Sequence, residues 1–232
     1  ALTADEAKAL RALVSGAGIG GLTAGLFGTS FSARNSTTNT LTRQLDWGYF
    51  NWAQALLGHP FTLVKNAGVA GERTDQMLLR LSDITSVMPD WCFVEGGIND
   101  ITFGTAPGVI IANLKSICTA FVSAGIKVVL YQLAPNNQSA GNSRKVQQVN
   151  QGLREWVNGG GAKGVYLIDG YSGLVDPVLT TGAFAAGMSD DGLHLSGKGA
   201  RAWGQATYNV LSKVIPASFT LPSSNGESYG VD

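Results

Sequence analysis

Five short apolar runs that do not alternate set the fold of this chain: Leu22–Phe27, Phe61–Val64, Trp91–Val94, Ile126–Leu133 and Val165–Ile168. A strand with one wet face reads apolar, polar, apolar; a strand covered on both faces reads as an unbroken run rich in Val, Ile, Leu and aromatics. Helical stripes fill the spaces between the runs. Leu45, Tyr49, Trp52 and Leu56 make one, and Met77, Leu81, Ile84 and Met88 a second. Ile110, Leu114, Ile117 and Phe121 make a third, in a segment opened by Pro107 and closed by Gly125. Val146, Val149, Leu153 and Trp156 form another, and Trp203 to Val214 the last, stopped by Pro216. Thr3 and Glu6 have capping-box spacing before a short N-terminal helix. Strands alternating with helices in this way predict an α/β fold, a three-layer α/β/α sandwich with a five-stranded parallel, flavodoxin-like doubly wound sheet. Residues 1–216 read as a single domain, and 217–232 as a polar tail or linker suited to further modules beyond either terminus.

Composition removes several classes of function. Sixteen basic and sixteen acidic residues cancel, which argues against nucleic acid as a partner, because phosphate binding needs a concentrated positive surface. No apolar run approaches the roughly 18–20 residues of a membrane span. Charged residues make up only 14%, and glycine supplies 31 positions, so the surface is expected to be built from Ser, Thr, Asn and Gly, as in secreted or virion-associated proteins. Cys92 and Cys118 lie in apolar stretches and read as buried thiols, with a disulfide as the alternative in an extracellular setting. With only His59 and His194 and no Cys-x-x-Cys, neither a zinc site nor any other cofactor is expected. Gly16-Ala-Gly18-Ile-Gly-Gly21 matches G-x-G-x-x-G but follows a helix and precedes a strand, the reverse of what a dinucleotide site requires.

In open α/β sheets the chemistry collects beyond the carboxyl ends of the strands. Gly28-Thr29-Ser30 follows the first run and places a hydroxyl at a tight strand-to-helix turn. Asn66-Ala-Gly-Val-Ala-Gly71-Glu-Arg-Thr follows the second, with glycine N–H groups free to face an anion. Glu95-Gly-Gly97-Ile98-Asn99-Asp100 follows the third and offers a side-chain amide. The segment Ser189-Asp190-Asp191-Gly192-Leu193-His194 comes after the fifth. There, a carboxylate three residues from an imidazole can fix its tautomer and leave Nε2 as a base, since histidine titrates near ~6.5. Asp190 is the rival to Asp191 for that task. The plainer reading of the same segment is a helix-capping loop with Ser196 at the N-cap.

Taken together, the four segments resemble the blocks of the SGNH, or GDSL-type, serine hydrolase family, in the family's order, over roughly Leu22 to Ile215. The first block has Thr29 where the family usually has Asp, a position that supports the loop. The resemblance implies a catalytic triad of Ser30 as nucleophile, His194 as base and then acid, and Asp191 as its orienter. It implies an oxyanion hole made by the backbone N–H groups of Ser30 and Gly71 and the side-chain amide of Asn99.

The expected function is therefore a serine esterase. A carbohydrate-binding module that keeps the fold but has lost turnover is the contrasting class, and a lysophospholipase- or thioesterase-type hydrolase the nearer alternative. The loops Ala33–Thr40, Thr102–Gly108 and Asn136–Ser143 are small and polar, unlike the broad apolar surface a lipase presents to lipid. Phe103, Phe184 and Met188 are candidates to line a small acyl pocket. A small-molecule or glycan acyl ester, most plausibly an acetyl ester on a sugar, is the expected substrate.

Overall fold

The computed structural model describes residues 21–36, 48–178 and 181–215. Five parallel strands form one sheet: β1 (Leu22–Gly28), β2 (Phe61–Gly68), β3 (Trp91–Val94), β4 (Lys127–Tyr131) and β5 (Val165–Ile168), in the spatial order β2-β1-β3-β4-β5. The central runs become strands because both sheet faces are covered there, whereas the edge strand β2 leaves Thr62, Val64 and Lys65 exposed, against the expectation of burial on both faces. All four residues of β3 are buried, as are Val128, Val129, Leu130 and Tyr131 of β4. Leu26 of β1 pairs with Asn66 on one side and Phe93 on the other.

The chain-order helices are α1 (Ser30–Ala33), α2 (Tyr49–Leu57), α3 (Thr74–Met77), α4 (Ser82–Thr85), α5 (Ile98–Phe103), α6 (Pro107–Ser123), α7 (Ala140–Asn158) and α8 (Gly197–Leu211). α6 and α7 pack together, as do α2 and α8. The stripe through Ile110, Leu114, Ile117 and Phe121 is fully buried, and Phe121 meets Phe27 of β1 edge to face at 5.1 Å. Trp203 of α8 stacks on Tyr131 of β4 at 4.8 Å, and its indole N–H donates to the Gly170 carbonyl at 2.7 Å. Three layers, doubly wound about a flavodoxin-like sheet, follow from these pairings.

Some boundaries differ from the sequence expectation. The stripe of Met77, Leu81, Ile84 and Met88 does not form one helix; α3, a 3-10 turn at Leu78–Arg80 and α4 share it. Met77 and Ile84 stay buried, but Met88 is exposed and turns to φ +48 just before Pro89, which cannot continue a helix. α8 begins six residues before Trp203, at the Ser196 cap, and stops at Leu211, leaving Val214 exposed. Cys92 and Cys118 are free and buried, so no disulfide forms; burial raises both thiols above the ordinary range. The short N-terminal helix, the Gly16–Gly21 motif except its last residue, Leu45, part of the Ala33–Thr40 loop and the tail 217–232 lie outside the described residues. Among the described residues no helix is long and apolar enough to cross a membrane.

α2 and α8 approach closely because Gly204 has no side chain. A Cβ there would lie 2.5 Å from Trp52 Cβ and 2.9 Å from the Ala53 nitrogen. Gly204→Ala is therefore expected to force the two helices apart and cost about 1–3 kcal/mol, read from urea unfolding midpoints. An unchanged midpoint would mean that the helices slide freely.

Candidate active site

The strand order decides which loops meet. β1 lies between β2 and β3, so whatever follows each of these three strands converges at the point where the sheet changes winding direction. Ser30, Gly71 and Asn99 are those three positions.

Ser30 opens α1 one residue after the buried Thr29. The turn is shaped by Glu95, the residue that follows β3 and is 2% exposed. Glu95 Oε1 accepts the backbone N–H groups of Thr29 (2.5 Å) and Ser32 (3.0 Å), and Oε2 accepts the Thr29 hydroxyl (2.9 Å). A Cβ on Gly28 would sit 2.1 Å from Oε1, so only glycine fits beside this carboxylate. Burial raises the Glu95 carboxyl above its ordinary range, with the three hydrogen bonds pulling the other way. The carboxylate that supports this turn thus comes from the end of β3, and Thr29 serves as its donor. Sequence reasoning gave Glu95 no task; an acid closing an unbroken apolar run was the signal that marked it.

The segment after β5 reaches back across the sheet. His194 Nε2 lies 3.0 Å from Ser30 Oγ, and His194 Nδ1 lies 2.6 Å from Asp191 Oδ2. Asp191 Oδ1 also accepts the N–H groups of His194 (2.7 Å) and Leu193 (2.9 Å). Desolvation alone would raise the Asp191 carboxyl, but the bonds from the imidazole and the two backbone groups outweigh it and hold the carboxyl at about 2. An ionised Asp191 can only accept, so Nδ1 carries the imidazole proton and Nε2 is free to accept one from Ser30. Asp190 is exposed and has no such bond to the ring.

The loop is held from several sides. Ser189 Oγ donates to the His194 carbonyl (2.5 Å), Asn137 N donates to the Gly192 carbonyl (2.9 Å), and Arg34 donates to the Leu195 carbonyl (3.2 Å). Ser196 caps α8 by accepting the Gly199 N–H at 3.1 Å, so the capping reading of this segment holds alongside the Asp191–His194 contact. Phe31, next to Ser30, stacks on Trp203 at 5.4 Å and ties α1 to α8.

Gly71 sits in the turn after β2 at φ +80, with nothing within 4 Å of where a Cβ would stand, so its surroundings are open. Asn99 lies in the first turn of α5, and its Nδ2 donates to the Glu72 carbonyl at 2.8 Å, beside Gly71. The second and third loops are also joined by Asp100, which accepts from the Thr74 N–H (2.9 Å) and hydroxyl (2.6 Å).

The three candidate pocket residues do not come together as one wall. Phe184 is buried, Met188 is half-buried against the core, and Phe103 is 75% exposed beneath the Arg73 guanidinium, 4.4 Å from its ring centre. The cavity behind the Ser30 turn, lined in part by Phe31, Glu95 and Trp203, holds about 10 Å³, room for one water. Among the described residues no three His, Cys, Asp or Glu side chains converge as metal binding would require.

This arrangement can pass a proton from a hydroxyl to an imidazole in an acyl transfer. The GDSL-like lipase/acylhydrolase family matches residues 22–202. Solved structures share the fold at low identity. A GDSL-like lipase from Bacteroides thetaiotaomicron is 16% identical, with a TM-score of 0.64 over 88% of this chain and 96% of its own. An acetyl xylan esterase is 18% identical, with 0.63 over 81% and 98%. A mutant acetyl-xylooligosaccharide esterase from Geobacillus is 18% identical, with 0.63 over 82% and 93%. No curated protein matches the sequence.

Thr29→Val keeps the shape of the buried side chain and removes one donor from Glu95. It is expected to cost about 1–3 kcal/mol of stability in urea unfolding, the penalty of a buried acceptor left short. A loss below a few tenths would mean that water replaces the hydroxyl.

Proposed function

We propose, from the premise that this chain belongs to the GDSL-like lipase/acylhydrolase family and is a carboxylic ester hydrolase, that it is a serine esterase cleaving short acyl groups, chiefly acetyl, from carbohydrate. The observation that carries the reading is the continuous path from Ser30 Oγ through the His194 ring to Asp191, at 3.0 and 2.6 Å, between loops 164 residues apart.

In this reading Ser30 Oγ attacks the acyl carbon as its proton passes to His194 Nε2. The carbonyl oxygen becomes an oxyanion facing the N–H groups of Ser30 and Gly71 and the Asn99 amide. Collapse expels the sugar alkoxide, which takes the proton from Nε2 and leaves an acyl ester on Ser30. A water molecule, giving its proton to the same nitrogen, attacks that ester; its collapse frees the acid and returns the proton to Ser30. Asp191 keeps the tautomer and steadies the imidazolium.

Short acyl groups on a polar acceptor are supported by three features. Phe103, Phe184 and Met188 do not come together as a wall for a long acyl chain. Polar groups bound the rim, where the Thr102 hydroxyl donates to the Gln138 amide at 3.0 Å and Asn137 Oδ1 accepts the Phe184 N–H at 2.8 Å. Two of the similar folds belong to esterases of acetylated xylan or xylooligosaccharide. The low-charge composition supports a secreted or virion-borne setting for such an activity.

Initial rates on p-nitrophenyl acetate test the reaction. Ser30→Ala should fall by several orders of magnitude, and a variant as fast as wild type would move the nucleophile elsewhere. Asn99→Ala should lose about 10²–10³ in rate, as for removal of one oxyanion donor. Release of acetate from acetylated xylan against long-chain p-nitrophenyl esters tests the substrate; activity confined to the long chains would exclude acetyl.

Because Asp191 is held at about 2, it stays ionised across any practical assay range. A plot of log kcat/KM against pH should therefore carry no contribution from the Asp191 carboxyl on its acid limb. A slope of two would place a second ionising group in the site.

A further inference from the structure

We propose that the buried Arg80–Glu72 pair is the positioning element of the oxyanion hole, holding the Gly71 turn and the Asn99 amide in register with Ser30. The inference rests on the esterase reading above and concerns residues that take no part in bond making.

Arg80 belongs to none of the regular helices. It lies in the 3-10 turn Leu78–Arg80, and its guanidinium reaches under the strand ends, 4.4 Å over the Phe27 ring of β1. Its donors divide among four residues. Nη2 donates to the Gly28 carbonyl at 3.0 Å, at the turn that leads to Ser30. Nη1 donates to the Ala67 carbonyl of β2 at 2.8 Å and to Asp83 at 3.1 Å. Nε faces both oxygens of Glu72, at 2.8 and 2.6 Å, and Nη2 also meets Glu72 Oε2. A rigid planar fork with five N–H groups can span these acceptors at once, whereas an ammonium on a flexible stem cannot.

Glu72 is the residue after Gly71, and it is held from both ends. Its carboxylate is fixed by Arg80, and its carbonyl accepts Asn99 Nδ2 at 2.8 Å. A primary amide has two N–H bonds in one plane, so committing one to Glu72 fixes the direction of the other. The aim of the Asn99 donor and the path of the backbone through Gly71 are thus both set by Glu72. Glu72 is in turn set against Gly28 by Arg80.

Stability does not account for such a pair. The two side chains are only 16% and 9% exposed, and exchanging a buried ion pair for apolar groups of similar size is often neutral or favourable. What an apolar replacement would not supply is the directed link between the ends of β1 and β2 and the Gly71 turn.

The double variant Arg80→Met/Glu72→Gln, in the full chain, removes both charges of the pair together; Asp83 loses its Arg80 contact but, at 40% exposure, remains solvated. With p-nitrophenyl acetate its kcat is expected to fall about 10²-fold with KM little changed, the loss typical of donors displaced by about an ångström. Affinity for a boronic acid that forms a tetrahedral adduct on Ser30 should fall in step. Arg80→Lys keeps the charge opposite Glu72 but loses the fork, and should show the same loss; it carries the test if the double variant does not fold. A purely structural role would lower the melting temperature and leave kcat per folded molecule at the wild-type value, and that result in either folded variant overturns the proposal. A wild-type protein that neither turns over nor reacts with a serine-directed phosphonate overturns the esterase reading, and this inference with it.

Discussion

A carboxylate buried at the end of β3 fixes the geometry from which the rest of the site is built. Glu95 is 2% exposed, and a buried acid left without partners costs far more than a folded protein can spare. Its donors are the N–H and hydroxyl of Thr29 and the N–H of Ser32, so the chain leaving β1 has to curl around the carboxylate before α1 can begin. Gly28 permits the approach by having no side chain to obstruct it. The Ser30 turn and the end of β3 are therefore one unit, and the Asn99 loop begins from the same strand end. Burial pushes the Glu95 carboxyl up while these bonds pull it down, so the group and the turn depend on each other.

The histidine loop is brought to that unit by packing on the opposite side of Ser30. Trp203 of α8 stacks on both Phe31 and Tyr131, joining the helix that follows His194 to the one that carries Ser30. Arg34 adds a direct bond from the end of α1 to the Leu195 carbonyl. A connection spanning 164 residues thus ends in a 3.0 Å contact because aromatic burial positions α8 and local hydrogen bonds trim the loop. Neither contribution suffices alone. Stacked rings tolerate sliding by fractions of an ångström, and loop hydrogen bonds cannot locate a helix.

Much of this was legible in the sequence, because it depends on local patterns. Unbroken apolar runs marked the strands, a Pro107-to-Gly125 stripe marked α6, and the Asp191–His194 spacing survived as a 2.6 Å contact. The segment after β2 was misread because period alone cannot separate one helix from short turns sharing a stripe, and Pro89 closed it early. The charged framework was not legible. Arg80 reaches the Gly28 carbonyl across 52 positions and Asn99 reaches the Glu72 carbonyl across 27, and nothing in either neighbourhood records these contacts. Glu95 lay between the two cases. Its place at the end of a buried strand was visible, but its partners on β1 required the strand order.

The exposure of the triad bears on how it would work. The Asp191 side chain is 50% exposed and that of His194 is 23% exposed, so water screens the attraction between them more than in a closed cleft. Under that screening the larger contribution of Asp191 is geometric. One oxygen fixes the Nδ1 proton while the other holds the backbone of His194 and Leu193, and together they point Nε2 at Ser30. Charge stabilisation in the transition state would then fall mainly to the proposed oxyanion donors, which follow three different strands. In the proposed mechanism an open triad of this kind would admit water readily for deacylation, and it would place on the framework beneath the strand ends the precision that a deep pocket would otherwise provide.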